Sequence, residues 1–161
     1  MNNLDNYLLF FGGVFSNFHP CLFLVDKQVY NCNEQYFMKM KQELFDKDNF
    51  DLAHAIISEK DPKIIKKYGR LVQNYNEEVW NKKRYKIMVK GLYAKFSQNL
   101  DLKLELLNTQ NKILVEASPF DNIWGIGIGV EKALKMDPSQ WKGQNLLGKA
   151  LMEVREMLKN K

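Results

Sequence analysis

The stretch EQYFMKMK, from Glu34 to Lys41, carries an acid and a base seven residues apart. In a helix turning about 100° per residue, Glu34 and Lys41 fall roughly 20° from each other. They lie inside the arc that also holds Tyr36, Phe37, Met38, Met40, Leu44 and Phe45. Gln35, Lys39, Gln42 and Glu43 fall outside it, on the side expected to meet solvent. A carboxylate and an amine about 10 Å apart along one helical face leave space for a sugar-sized group between their ends. Such a pair offers a proton shuttle and a nucleophile.

A second helical segment, NEEVWNKKRYKIMVKGLYAKF, repeats the anomaly. Its apolar arc holds Trp80, Tyr85, Ile87, Met88, Val89, Leu92 and Phe96, with Lys82, Lys83, Lys86 and Lys90 opposite. Arg84 and Lys95 fall within the apolar arc. An unpaired buried charge costs several kcal/mol, so compensation is required. Glu34 pairing with Arg84 or Lys95, or lysines reaching to the rim, would provide it for any one residue. Four such residues on two helices favour a water-filled pocket that receives an anionic ligand.

Two loops carry further candidates. In FFGGVFSNFHP, Gly12 and Gly13 permit close backbone approach to a ligand, and Asn17 offers both donor and acceptor. A tight turn closed by an Asx bond is the alternative. In SPFDNIWGIGIG, Asp121 has the chemistry to hold ribose hydroxyls or transfer protons, and Trp124 to stack on a base. The alternative is a core tryptophan in an ordered loop. Gly125, Gly127 and Gly129 do not have the spacing of a dinucleotide fingerprint. His19 and His54 have no neighbours at metal-ligand spacing, and no GxSxG, Walker A or HExxH motif occurs. Chemistry by carboxylates and a lysine, without metal or cofactor, is the expectation.

The elements that must position these residues begin with strands at Tyr7 to Phe11, Cys21 to Val25 and Gln28 to Tyr30. Helices follow: one from Asn33, a short one capped by Asp48, and one capped by Asp61 with Pro62 at its first position and Gly69 as its stop. The long helix, a shorter one around Leu102 to Leu107, a strand within Lys112 to Ser118 and a closing helix from Asn145 complete the chain. The order predicts an α+β fold, a single compact domain over residues 1–161, mostly helical around a small sheet.

At 161 residues and 45% apolar content, the chain has material for one core. A net charge of +5 and a pI near 9.1 suit a polyanion such as a nucleotide, a dinucleotide or DNA. Cys21 and Cys32 match neither a redox nor a zinc pattern. With no apolar run of spanning length and no leader pattern, a soluble, cytoplasmic, monomeric protein without membrane association is expected.

Taken in order, several pieces resemble the NADAR or YbiA-like family. They are FSNF at Phe15 to Phe18, the element from Glu34 to Lys41, Gly69-Arg70, Trp80, the segment Arg84 to Phe96 and Leu106 to Thr109. Leu114 to Glu116, Asp121 to Gly127 and Gly143 to Glu156 continue the series. Gln35 stands where the family often has His, Leu71 where an acid is frequent and Ile126 where Asp can occur. The resemblance implies a YbiA-like fold and an N-glycosidase that cleaves a ribosyl C1′–N bond, with no cofactor. Implied substrates are ADP-ribosylated guanine in nucleic acid or a phosphoribosyl-type small molecule such as a phosphorylated riboflavin-pathway intermediate. A non-catalytic reader of ADP-ribose or NAD is the rival. Lys41, Glu34 and Asp121 are the implied catalytic residues. Asn17, Phe18, Trp80, Arg84, Lys95, Trp124 and Gly125 are the expected ligand-binding ones.

Overall fold

The computed structural model describes residues 4–160. Asn17–Asn99 forms one compact unit, and residues 4–16 together with 100–160 form another. The chain adopts the expected α+β, mostly helical fold. Its strands form two separate pairs, one in each unit, in place of one sheet.

In the unit 17–99, β2 (Phe23–Val25) and β3 (Gln28–Tyr30) make an antiparallel hairpin with Phe23 opposite Tyr30 and Val25 opposite Gln28. Asp26 and Lys27 turn the chain, both at positive φ, as a two-residue hairpin loop requires. The alternation of the strands sends Phe23, Val25 and Tyr30 inward, where they pack on Tyr36 and Ala94. Four helices complete the unit: α1 (Asn33–Phe45), α2 (Phe50–Ser58), α3 (Pro62–Gly69) and α4 (Glu77–Ser97). Asn49, one residue beyond the expected Asp48, caps α2 by accepting from the Leu52 amide at 3.1 Å. Asp61 caps α3 and Asn76 caps α4; each such cap contributes about 1 kcal/mol.

Helix α1 packs against α2, α3, α4 and β3, so it has almost no solvent side. That overturns the expected outward placement of Gln35 and Gln42, which are both buried. Gln35 closes the end of α2, donating to the Ile56, Ile57 and Glu59 carbonyls at 2.9, 3.1 and 3.2 Å. Those are carbonyls a helix end leaves without internal partners. Gln42 donates to the Asp46 carbonyl at 2.8 Å. Where α1 meets α4, a Cβ on Gly91 would overlap Tyr36 and Asn33. Glycine there is a condition of the close helix contact.

In the other unit, β1 (Tyr7–Phe10) and β4 (Ile113–Glu116) pair in parallel, Tyr7 opposite Ile113 and Phe10 opposite Glu116. The remaining elements are α5 (Leu100–Asn108), a short α6 (Val130–Ala133), a 3-10 turn (Pro138–Gln140) and α7 (Leu146–Lys159). Arg155, buried on α7, donates to the Thr109 hydroxyl at 2.8 Å and the Lys112 carbonyl at 2.9 Å. This side chain ties the end of α5 to the start of β4. No helix among the described residues is long and apolar enough to cross a membrane.

Candidate active site

Glu34 lies in the first turn of α1, where the helix field favours a carboxylate, and it is buried. Its amide donates to the Asn17 carbonyl at 3.0 Å. The Asn17 side chain is held as well: its Oδ1 accepts from Asn33 Nδ2 at 2.8 Å, and Asn33 is fully buried against Met88. The segment carrying Asn17 and Phe18 is thereby fastened to the start of α1. Phe18 itself is half-buried.

Lys41, two turns along α1, is half-buried and donates to the Gly69 carbonyl at 2.9 Å. Gly69 is the last residue of α3, so Lys41 occupies the negative end of that helix. A Cβ on Gly69 would meet the Met38 thioether, which would have to shift to make room. The Lys41 ammonium also sits 4.8 Å from the centroid of the Tyr75 ring. Burial pulls the Lys41 pKa below the ordinary lysine value; Glu34 opposes that shift and Arg70 adds to it. Glu34 and Lys41 therefore act on each other electrostatically, while Lys39, beside them, pairs with Glu43 at 2.6 Å.

Arg84 is half-buried on α4; burial and the Glu77 carboxylate push the Tyr75 phenol above its ordinary pKa, and the Arg84 charge opposes them. Lys95 is completely buried, with its Nζ 4.9 Å from the Phe96 centroid and its charge acting on the Cys21 thiol. Eleven residues of helix separate Arg84 from Lys95, or about 16 Å between backbones. The two belong to different parts of α4. Trp80, expected at the ligand, is buried with its ring 4.9 Å from Phe37 and 6.2 Å from Phe45, so it serves the core behind Lys41 and Tyr75.

The remaining candidates lie in the other unit. Asp121 Oδ1 accepts from the Ile123 and Trp124 amides, both at 2.9 Å, which is the Asx turn that shapes this loop. Trp124 is half-buried. Gly125, expected at the ligand, is buried, and a Cβ there would press on the Glu116 carbonyl at 2.7 Å; its missing side chain serves packing on β4. The segment before α7 secures the loop: Gln144, Asn145, Leu146 and Leu147 donate their amides to the Asn122, Gly125, Ile123 and Trp124 carbonyls. Asn145 also accepts from the Glu116 amide at 3.0 Å and donates to the Leu114 carbonyl at 2.9 Å, extending β4 with a side chain.

The NADAR domain profile matches residues 11–159, across both units. The chain belongs to the NADAR family. "N-glycosidase R617" of Acanthamoeba polyphaga mimivirus is 40% identical over 165 residues, covering 94% of this chain and 96% of that protein. "Protein irg-1" of Caenorhabditis elegans is 37% identical, covering 90% and 75%. "N-glycosidase YbiA" of Escherichia coli is 32% identical, covering 91% and 81%. The NMR structure of E. coli YbiA superposes with a TM-score of 0.77 at 29% identity, over 99% of this chain and 88% of that one. Homology thus places this NADAR protein among the YbiA-like N-glycosidases, which are hydrolases.

Asn33, Gly69, Arg70 and Tyr75 were not among the site residues expected from the sequence. Gly69-Arg70 was visible as a family motif, but a backbone carbonyl that receives a lysine leaves no trace in residue type.

Proposed function

We propose that this NADAR protein hydrolyses a ribosyl C1′–N bond and that its substrate is ADP-ribose attached to guanine in nucleic acid. The observation that carries the substrate choice is the placement of charge. Residues 17–99, which hold Glu34 and Lys41, contain 15 lysines and arginines against 10 acids, and so account for the whole +5 of the chain. A net basic unit carrying the reacting pair suits a polyanion better than a small monophosphate.

In the mechanism proposed, Glu34 delivers a proton to the ribosyl ring oxygen as the C1′–O bond opens. Lys41 Nζ, as the free amine, adds to C1′. The base nitrogen leaves with the proton that Nζ gives up through Glu34, and a Schiff base joins Lys41 to C1′. Water then hydrolyses that bond, releasing the sugar as an aldehyde that recloses and restoring the amine. Lowering of the Lys41 pKa by burial increases the fraction of free amine near neutral pH. Arg84, on α4 of the same unit, offsets phosphate charge.

The test is a panel of three substrates given to the purified chain: ADP-ribosylated guanine in single-stranded DNA, phosphorylated pyrimidine intermediates of riboflavin synthesis, and NAD. Release of ADP-ribose from the DNA with the highest kcat/KM is expected. Preference for the pyrimidine intermediates overturns the choice of substrate, and affinity for ADP-ribose without release of any base overturns the catalytic reading.

A further inference from the structure

We infer that Tyr75 is a positioning residue for Lys41: its ring face and the Gly69 carbonyl hold the ammonium as a latch, and the amine goes to C1′ only after it has lost a proton and left the ring. The latch is defined by contacts within the unit 17–99, and its kinetic consequence rests on the N-glycosidase reading of the same site.

The segment that carries Tyr75 is fastened to the end of α1. Asp46, which ends that helix, accepts from the Gln73 amide at 3.1 Å and from Asn49 Nδ2 at 2.9 Å through one carboxylate oxygen. Asn74 then turns the chain at a φ of 61°, in the left-handed region that asparagine tolerates better than most residues. Its side-chain amide donates to the Phe45 carbonyl at 3.5 Å. Tyr75 comes next, with its ring edge-on to that of Phe45, the centroids 5.4 Å apart. Phe45 in turn stands edge-on to the buried Trp80 at 6.2 Å. Backbone and aromatic contacts therefore fix the ring independently of the lysine it covers.

Lys41 Nζ lies 4.8 Å from the centroid of that ring and 2.9 Å from the Gly69 carbonyl oxygen. The two contacts respond differently to loss of a proton. A neutral amine still donates to a carbonyl, whereas attraction to the face of a ring needs the positive charge. Burial and the charge of Arg70, which follows Gly69 at the end of α3, favour the amine; Glu34, on α1, favours the ammonium, and the ring face joins it. From α4, Glu77 and Arg84 act on the Tyr75 phenol. A carboxylate in place of the ring would bind the ammonium more firmly and keep it protonated. The ring holds the charged form and lets the neutral one go. Tyr75 is 45% exposed, so the proton has bulk water to pass to. The released amine then starts from one defined place beside the site, and a rotation of its own side chain carries it to C1′.

The experiment follows the ε-methylene of Lys41 by NMR through a pH titration of the full chain and of its Tyr75→Phe and Tyr75→Leu variants. It also measures kcat and KM of each on an ADP-ribosylated guanine oligonucleotide. Shielding by the ring face should place the Lys41 ε-protons upfield of those of the other lysines in the parent and in Tyr75→Phe, and Tyr75→Leu should abolish that shift. Lys41 should titrate at lower pH in Tyr75→Leu and at the parent's pH in Tyr75→Phe. Loss of the starting position should lower kcat about tenfold in Tyr75→Leu, with KM little changed, and Tyr75→Phe should restore it. Unshifted ε-protons in the parent, an unmoved titration in Tyr75→Leu, or a kcat there equal to the parent's each overturn the latch. Equal losses of kcat in Tyr75→Phe and Tyr75→Leu overturn it too, since they assign the effect to the hydroxyl. Failure of the glycosidase reading looks different. A Lys41 shift and titration that depend on the ring, in a chain that cleaves no ribosyl substrate, uphold the latch and remove that reading.

Discussion

Lys41 donates its ammonium to the carbonyl of Gly69 at 2.9 Å, so the candidate nucleophile on α1 is held by the last residue of α3. A Cβ on Gly69 would meet the buried Met38 thioether between the two helices and force it to shift. Gly69→Ala should therefore push α3 from α1, destabilise the protein by about 1–3 kcal/mol and lower kcat. Adding Met38→Ala should recover part of the stability in urea unfolding by removing the obstruction. Equal stability of parent and Gly69→Ala would contradict this account of the helix contact.

The direction of the Lys41 shift sets a pH dependence. The amine must be deprotonated to attack, so activity should rise with pH along a limb lying below the ordinary lysine range. Arg70 lowers the Lys41 pKa, so Arg70→Ala should move that limb to higher pH; Glu34 raises it, so Glu34→Gln should move any residual limb to lower pH. Profiles of kcat/KM against pH for the three proteins check both signs. A limb that does not move in Arg70→Ala would sink the assignment to Lys41.

Asn33 fixes the Asn17 side chain from a fully buried position. Asn33→Ala removes that bond and leaves Asn17 Oδ1 without its donor, at a cost of about 1–2 kcal/mol. The expected kinetic signature is a rise in KM from a loosened Asn17–Phe18 segment, larger than in Arg155→Met. Arg155→Met breaks the bonds to Thr109 and Lys112 in the other unit and should cost about 1–3 kcal/mol while leaving kcat per folded molecule unchanged.

Phe120 precedes Asp121, is 84% exposed, and has its ring 6.3 Å from that of Phe11. Its removal costs the fold little, within about 0.5 kcal/mol. If the substrate is single-stranded nucleic acid, an exposed aromatic pair stacks a neighbouring base, and Phe120→Ala should lower kcat/KM on an oligonucleotide about tenfold without affecting a mononucleotide substrate. Equal effects on both would point to a role within the ribosyl site itself.

Much of this arrangement was legible in the sequence. Helical spacing alone marked Glu34, Lys41, Arg84 and Lys95 as inward-facing, and none of them is fully exposed in the structure. Pro62 and Asp61 announced α3 correctly, because capping depends on local residue types. The spacing misled at Gln35 and Gln42, since a period describes one buried face and α1 is covered by neighbours on nearly every side. The separation of the strands into two pairs was equally hidden, because partners such as Tyr7 and Ile113 are fixed by tertiary packing rather than by local pattern. Arg84 and Lys95 looked equivalent on a helical wheel, which shows angle and discards rise. The role of Gly69 depends on a carbonyl, which every residue has.

The most direct test of the ribosyl-cleaving centre is borohydride trapping during turnover of an ADP-ribosylated guanine oligonucleotide, followed by peptide mass spectrometry. The account predicts a reduced ribosyl adduct on Lys41, with neither adduct nor hydrolysis in Lys41→Ala. An unmodified Lys41 together with a Lys41→Ala protein that still releases ADP-ribose would contradict it.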